Sequence, residues 1–79
     1  MNRNAIKDLI KEILAEIDPL EEIEDDTLLV GGILDSLSVL YLFKELCERL
    51  EIAIPMKEAT IENFSTVETV ATLAENYLA

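Results

Sequence analysis

The residues with the clearest chemical potential lie near the middle of the chain, in the tripeptide Asp35-Ser36-Leu37. Two glycines, Gly31 and Gly32, stand shortly before it, and a strongly helical run follows. A serine at the start of a helix presents its hydroxyl beside backbone N–H groups and the positive end of the helix dipole. That position suits a phosphate group. Helix capping is the common structural role of such a serine, so the pattern leaves both roles open.

Other kinds of catalytic and metal chemistry lack the residues that they need. The chain has no histidine, which excludes Ser-His-Asp and Cys-His arrangements and the usual zinc sites. A calcium loop beginning at Asp25 would need an oxygen ligand where Leu29 stands. The pair Gly31-Gly32 is followed by neither the lysine nor the further glycines of a nucleotide-binding loop. We therefore predict no catalytic residue, no metal site and a protein that is not an enzyme by itself.

Charge narrows the range of partners and locations. Six basic residues stand against 17 acidic ones, which gives a net charge of −11. This balance disfavours nucleic acid and anionic membranes and favours a basic protein partner, although solubility alone would also explain it. The single Cys47 suits a reducing compartment, and neither a signal peptide nor a membrane-length apolar run is evident. We expect a cytoplasmic monomer that binds neither nucleic acid nor membrane.

Hydrophobic periodicity predicts the helices that must position Ser36. Apolar residues recur at three- and four-residue steps over residues 3–17, 36–50 and 66–78. Residues 57–63 have fewer apolar anchors and predict a short additional helix. With 79 residues, of which 51% are hydrophobic, the chain can bury one modest core. We predict an all-α fold, a small bundle of three longer helices and one short helix that forms a single domain over residues 1–79.

The connections between the helices carry their own signals. Residues 18–35 form a long first loop, which is acidic in its first half and has an apolar run at residues 28–30 that we expect to pack down as a turn. Pro19 ends the first helix, and Ser65 begins a capping-box pattern before the last one. We expect residues 52–55 to be a packed, extended connection because the chain offers them no partner strand.

The second helix separates core residues from surface residues. At helical spacing, one broad apolar stripe contains Val39, Leu40, Leu42, Phe43, Leu46, Cys47 and Leu50. We predict that Met56 and Phe64 are core residues as well. Leu37 and Tyr41 lie among the polar residues instead, four positions apart, so their side chains touch. They form either an exposed docking patch or a patch covered by the long loop, and the sequence favours neither.

The tripeptide, the acidic charge and the order of elements together resemble the acyl carrier protein family. The resemblance covers nearly the whole chain, from the first helix through the long acidic loop to an Ile-x-Ile-Pro connection and the final helix. It implies a bundle of acyl-carrier type and a 4′-phosphopantetheine arm, which a phosphopantetheinyl transferase would attach to Ser36 from coenzyme A. Asp35 would help the transferase to position its metal and substrate. The arm would hold an acyl or aminoacyl group as a thioester.

The resemblance also implies activating and condensing enzymes as partners, in fatty-acid, polyketide or nonribosomal-peptide-type biosynthesis. We expect the docking contacts from Leu37, Tyr41, Lys44, Glu45 and Glu48. Tyr41 and Lys44 stand where fatty-acid carriers usually have acidic or methionine-like residues. The apolar pair Ile33-Leu34 before Asp35 looks more like carriers of amino acids, the D-alanyl and stand-alone peptidyl types included. The alternative function is an unmodified acidic helical adaptor that binds a protein partner.

Overall fold

Three α-helices dominate the computed structural model, which describes residues 2–78. Helix α1 spans Arg3–Ile17, helix α2 spans Ser36–Leu50 and helix α3 spans Val67–Tyr77, while Met56–Glu58 form one turn of 3-10 helix. Within this part of the chain there is no β-strand, and no helix is long and apolar enough to cross a membrane. The prediction of an all-α fold with three longer helices is confirmed.

Helix α1 begins and ends where its sequence predicts. The Asn2 side chain accepts a hydrogen bond from the Ala5 N–H at 2.8 Å and so caps the first turn. Asp18 ends the helix because the following Pro19 disfavours a helical conformation at the residue before it. The apolar face of this helix is wholly buried at Ile6, Ile10, Ile13 and Leu14.

The core is mainly aliphatic and contains one aromatic pair. Phe64 is wholly buried, as predicted, and its ring centroid lies 6.1 Å from that of Phe43, with the two rings tilted by 31°. Helix α1 packs against both α2 and α3. The other wholly buried side chains of the core include Leu29, Leu42, Leu46, Val67 and Val70.

The segment between α2 and α3 differs from its prediction. We expected a helix over residues 57–63, but the regular structure is the 3-10 turn at Met56–Glu58, followed by a turn at residues 61–64. Polar side chains explain the difference. Thr60 Oγ1 accepts a hydrogen bond from the Asn63 N–H at 3.1 Å, and Asn63 Nδ2 donates to the Glu58 carbonyl at 2.8 Å. Such bonds compete with helical hydrogen bonds, which is why threonine and asparagine favour turns.

Two predicted core positions are wrong. Met56 is 62% exposed, because it begins the 3-10 turn, none of whose residues is buried. Leu40 is 45% exposed, since the apolar stripe of α2 is broader than the surface that its neighbours cover. Cys47 at the edge of the same stripe is half-buried and packs against the core, whereas Ile54 in the extended connection is buried as expected.

The capping box of α3 lies one residue later than the sequence predicts. Thr66, rather than Ser65, is the capping residue, and its hydroxyl accepts from the Thr69 N–H at 3.2 Å. The Thr69 hydroxyl accepts from the Thr66 N–H at 3.1 Å, which completes the reciprocal pair. Glu68, the expected acidic member of the box, forms an ion pair with Lys7 of α1 instead.

The first loop is fixed to the helices by Asp25. Its carboxylate lies 3.0 Å from the Lys7 ammonium and 2.8 Å from the Lys11 ammonium, both on α1. Its carbonyl accepts a hydrogen bond from the Glu68 N–H at 3.2 Å, at the start of α3. We call this set of contacts the Asp25 clamp. It joins the acidic half of the loop to two helices at once.

Leu29 provides the second attachment of this loop. Its side chain is wholly buried, as expected for the apolar run, and its N–H donates to the Ser65 carbonyl at 2.7 Å. Its own carbonyl accepts from the N–H groups of Gly32 at 3.1 Å and Leu34 at 2.8 Å. Residues 29–34 therefore form a compact turn that leads directly into α2.

The Asp25 clamp predicts a specific pH dependence. The Lys11 and Lys7 ammonium groups hold the pKa of Asp25 below its usual value. A lowered folded-state pKa adds stability that is complete above the unfolded-state pKa and is lost as the pH falls through the folded-state pKa. We expect Asp25→Asn to lower the free energy of unfolding more at about pH 7 than at about pH 2. Urea denaturation of the unaltered protein and of Asp25→Asn at the two pH values measures the difference in their free energies of unfolding. Asp26→Asn is the control. A loss of free energy of unfolding that is the same at both pH values would contradict the prediction.

Gly32 is the position in the turn where a side chain cannot fit. A Cβ atom there would lie 2.5 Å from the Leu28 carbonyl oxygen, which is a backbone atom. We expect Gly32→Ala to destabilise the fold by about 1–3 kcal/mol, because the turn must shift to relieve the clash. Thermal unfolding followed by circular dichroism measures the effect. Gly31→Asn serves as a comparison without a steric clash, since Gly31 lies in open space, although its φ of 87° strains any side chain there. An unchanged melting temperature for Gly32→Ala would contradict the prediction.

Candidate functional site

Ser36 is the first residue of α2 and is exposed to solvent. The capping residue of the helix is Asp35, which has an extended backbone with φ of −94° and ψ of −176°. Asp35 Oδ1 accepts a hydrogen bond from the Ser38 N–H at 2.8 Å. Of the two roles that the sequence leaves open for Ser36, helix capping is therefore taken by its neighbour. The Ser36 hydroxyl is accessible to another molecule.

Asp35 is held in its ionised form. Hydrogen bonds from the Ser38 N–H and hydroxyl keep the pKa of the Asp35 carboxyl below its usual value, and the helix dipole acts in the same direction. The residue next to Ser36 thus carries a carboxylate at neutral pH. The Ser38 N–H is already engaged, so the start of α2 offers a phosphate fewer free N–H groups than the sequence suggests.

An open groove runs beside Ser36, between the start of α2 and residues 59–61. Its volume is about 470 Å³, and Asp35 and Ser36 form part of its lining. The rest of the lining is mostly apolar and comprises Val30, Leu34, Val39, Leu40, Ala59, Thr60 and Ile61. A flexible group attached to Ser36 would therefore have an apolar surface within reach.

Leu37 and Tyr41 form an exposed patch on another side of α2, and the first loop does not cover it. Leu37 is 78% exposed and Tyr41 is 39% exposed. Together with Ser38 and the end of α1 they line a shallow depression of about 390 Å³. The Tyr41 hydroxyl donates to Glu16 Oε1 at 2.8 Å, and this bond raises the pKa of Tyr41. Of the two alternatives for this pair, the structure favours the exposed patch.

Glu16 is a member of this surface that sequence reasoning missed. Both of its carboxylate oxygens accept hydrogen bonds from Arg49 Nη2, at 2.8 and 2.7 Å, and Arg49 then reaches Glu45 at 2.9 Å. The Arg49 guanidinium and the Tyr41 hydroxyl together lower the pKa of Glu16. The partners of Glu16 stand on a different helix, 25 and 33 positions along the chain, so no local pattern reveals the contact.

The remaining predicted docking residues divide into two groups. Lys44 and Glu48 are exposed, and their side chains form an ion pair at 3.4 Å along one face of α2. The Glu45 side chain is only 17% exposed, because it lies against Arg49. Leu37, Tyr41, Lys44 and Glu48 are thus accessible along α2, whereas Glu45 is mostly covered and contacts Arg49 and Lys44.

Comparison with known proteins places this geometry in a family. A family model described as a phosphopantetheine attachment site matches residues 4–74 of the chain. The chain belongs to the phosphopantetheine-dependent carrier protein family. The D-alanyl carrier protein of Listeria welshimeri is 34% identical to this carrier over 74 residues, which are 90% of this chain and 95% of the relative. The D-alanyl carrier protein of Listeria innocua is 32% identical over the same length.

A solved structure supports the same assignment for the fold. The carrier resembles a chain in the crystal structure of the Bradyrhizobium japonicum glycine:[carrier protein] ligase complexed with glycylated carrier protein. The TM-score is 0.71 at 31% identity, with 90% of this chain and 96% of the other chain covered. The predicted bundle of acyl-carrier type is confirmed.

Family membership confirms the predicted function as a carrier and its cofactor. The protein holds its cargo on a covalently attached 4′-phosphopantetheine arm. The residues present fit such an arm, because an exposed serine forms part of the lining of an open groove. When attached, the arm supplies the terminal thiol on which the cargo forms a thioester. The alternative of an unmodified adaptor is not supported.

Proposed function

We propose that Ser36 is the attachment site of the phosphopantetheine arm and that the arm carries an aminoacyl group. The observation that carries the proposal is the exposed Ser36 hydroxyl at the first position of α2, left free by the capping carboxylate of Asp35. In this proposal Asp35 also helps the transferase, since it is the residue next to Ser36 and its ionised carboxylate can hold the metal of that enzyme.

The cargo that we propose is a small amino acid. Similarity in sequence and similarity in structure both support a small amino acid as the cargo. The sequence relatives include D-alanyl carrier proteins, and the structural neighbour is a glycylated carrier protein. An aminoacyl-activating enzyme is then the main partner. We propose that it docks on the exposed face of α2 formed by Leu37, Tyr41, Lys44 and Glu48.

We further propose that the chain performs no catalysis of its own and that residues 1–79 act as one monomeric carrier domain. The lack of histidine supports the first point, because no side chain with the usual pKa of a general base is available. The half-buried single Cys47 fits a reducing compartment, so we propose the cytoplasm as its location.

Modification in vitro tests the proposed function. The apo-protein is incubated with coenzyme A, Mg²⁺ and a broad-specificity phosphopantetheinyl transferase, and its intact mass is then measured. We expect a gain of one phosphopantetheine group. The modified protein is then offered glycine or D-alanine with an aminoacyl ligase such as the Bradyrhizobium japonicum enzyme, and a second mass gain identifies the cargo. Absence of the first gain would overturn the proposal.

The proposed docking face predicts that Leu37→Asp slows aminoacylation. The substitution places a charge in the centre of an apolar patch, and losing one anchoring side chain from an interface costs roughly a factor of ten in affinity. We expect KM for the modified carrier to rise by about that factor, with kcat nearly unchanged.

The matched control for this variant is Leu20→Asp. Leu20 is 94% exposed in the first loop, so the same chemical change occurs away from α2. Equal KM values for the two variants would contradict the docking proposal. Equal melting temperatures would show that neither variant acts through the fold.

A further inference from the structure

The first loop reaches Ser36 through a continuous series of fixed points. The Asp25 clamp holds the loop to α1 and α3, and Leu29 then donates to the Ser65 carbonyl. The Leu29 carbonyl in turn accepts from the Leu34 N–H at 2.8 Å, two residues before Ser36. Each fixed point is a short hydrogen bond or ion pair. These contacts connect the turn before Ser36 to a residue that lies 11 positions earlier in the chain.

The start of α3 is the common support of these contacts. The Glu68 N–H donates to the Asp25 carbonyl, and the Ser65 carbonyl accepts from the Leu29 N–H. The Lys7 side chain, only 15% exposed, contacts both the Asp25 and the Glu68 carboxylates. One lysine of α1 thereby joins the loop to α3.

Asp25 differs from its acidic neighbours in the loop because it forms ion pairs with cations of α1. The protein has a net charge of −11, so an acidic loop is repelled by the rest of the molecule unless cations hold it. Asp25 is the loop residue that contacts Lys7 and Lys11. Asp26, the next residue along, is exposed and makes no ion pair within residues 2–78.

We propose that Asp25 is a positioning residue for the modification of Ser36: through Lys7 and Lys11 it fixes the first loop, and the loop fixes the turn that presents the serine. The proposal rests on the proposed role of Ser36. Releasing the clamp lets the turn at residues 29–34 sample other conformations. A smaller fraction of molecules then presents Ser36 correctly to the transferase, and apparent affinity falls in proportion to that fraction.

The test compares Asp25→Asn with Asp26→Asn in the transferase reaction with coenzyme A and Mg²⁺. The two variants lose the same charge at adjacent positions. We expect Asp25→Asn to raise KM for the carrier by about threefold to tenfold with kcat changed less than about twofold, and Asp26→Asn to change neither. Amide hydrogen exchange measured by NMR should be faster at Leu29 and Leu34 in Asp25→Asn alone. A purely global loss of stability would instead raise exchange throughout the core.

Lys11→Gln distinguishes a positioning role of Asp25 from a direct contact between Asp25 and the transferase. Lys11 pairs with Asp25 through a single ion pair, so this variant loosens the clamp while leaving the Asp25 carboxylate in place. Positioning predicts a rise in KM in the same direction as for Asp25→Asn. If Asp25 touches the transferase itself, Lys11→Gln leaves KM unchanged or lowers it, which would overturn the inference.

The remaining outcomes are also decisive. If Asp25→Asn behaves like Asp26→Asn, the inference is wrong while the role of Ser36 stands. If the unaltered protein gains no phosphopantetheine, the proposed role of Ser36 fails first. Should Asp25→Asn lose its helical circular dichroism, Lys11→Gln alone decides the question, because it removes only one partly exposed contact.

Discussion

Replacing Ser36 by alanine is expected to abolish the gain of phosphopantetheine completely. Attachment forms a bond between the serine oxygen and phosphorus, with release of the nucleotide portion of coenzyme A and loss of the hydroxyl proton. Alanine has no oxygen to form that bond. The fold should be unaffected, since Ser36 is exposed and the α2 cap is supplied by Asp35. Intact mass after incubation with coenzyme A and the transferase measures the loss.

Ser38→Ala is the matched control for this experiment. It removes a serine hydroxyl from the same helix, two positions away, and should still allow the full mass gain. A gain that persists in Ser36→Ala would place the arm on another residue and refute the proposed site. A lowered melting temperature of Ser36→Ala would show that its hydroxyl contributes to the start of α2 after all.

Replacing Phe64 by alanine is expected to cause the largest loss of stability. Phe64 is wholly buried and packs its ring against Phe43. Removing a buried phenylalanine side chain costs about 3–5 kcal/mol, which includes the cavity that it leaves. A domain of this size has a total stability of roughly 4–12 kcal/mol. We therefore expect much of the cooperative unfolding transition to be lost, as measured by urea denaturation followed by circular dichroism.

Ile61→Ala is the control within the same turn. Ile61 is 68% exposed, and surface substitutions usually change stability by less than about 0.5 kcal/mol. If Phe64→Ala proved as stable as Ile61→Ala, the aromatic pair would not hold the segment between α2 and α3 in place. The predicted destabilisation would then be wrong.

Local pattern predicted the helices well because each has a clear period and clear ends. The apolar steps of α1 and the proline at position 19 are sufficient to place its bounds. The segment after α2 was predicted less well, since Thr60 and Asn63 form turns that compete with a helix. The register of the α3 cap could not be fixed because Ser65 and Thr66 are both good capping residues.

The candidate site likewise contains residues that local sequence predicts and residues that it does not. Ser36 and Asp35 are adjacent in sequence at the head of a helix, so their position could be predicted from local features alone. The contacts of Glu16 with α2 and of Asp25 with α1 join residues that are distant along the chain. Such pairs depend on how the helices pack, and charge patterning does not distinguish Asp25 from Asp26.

The ion pairs of this protein have a consequence for how it meets its partners. Arg3, Lys7, Lys11, Lys44 and Arg49 each lie against a carboxylate of the same molecule. Their positive charges are therefore largely cancelled at short range, while the surplus of acidic residues dominates the field at a distance. A basic enzyme is drawn toward such a carrier from any direction, and two copies of the carrier repel each other. Rapid diffusional encounter then requires no specific orientation until the docking contacts that we propose on α2 select one.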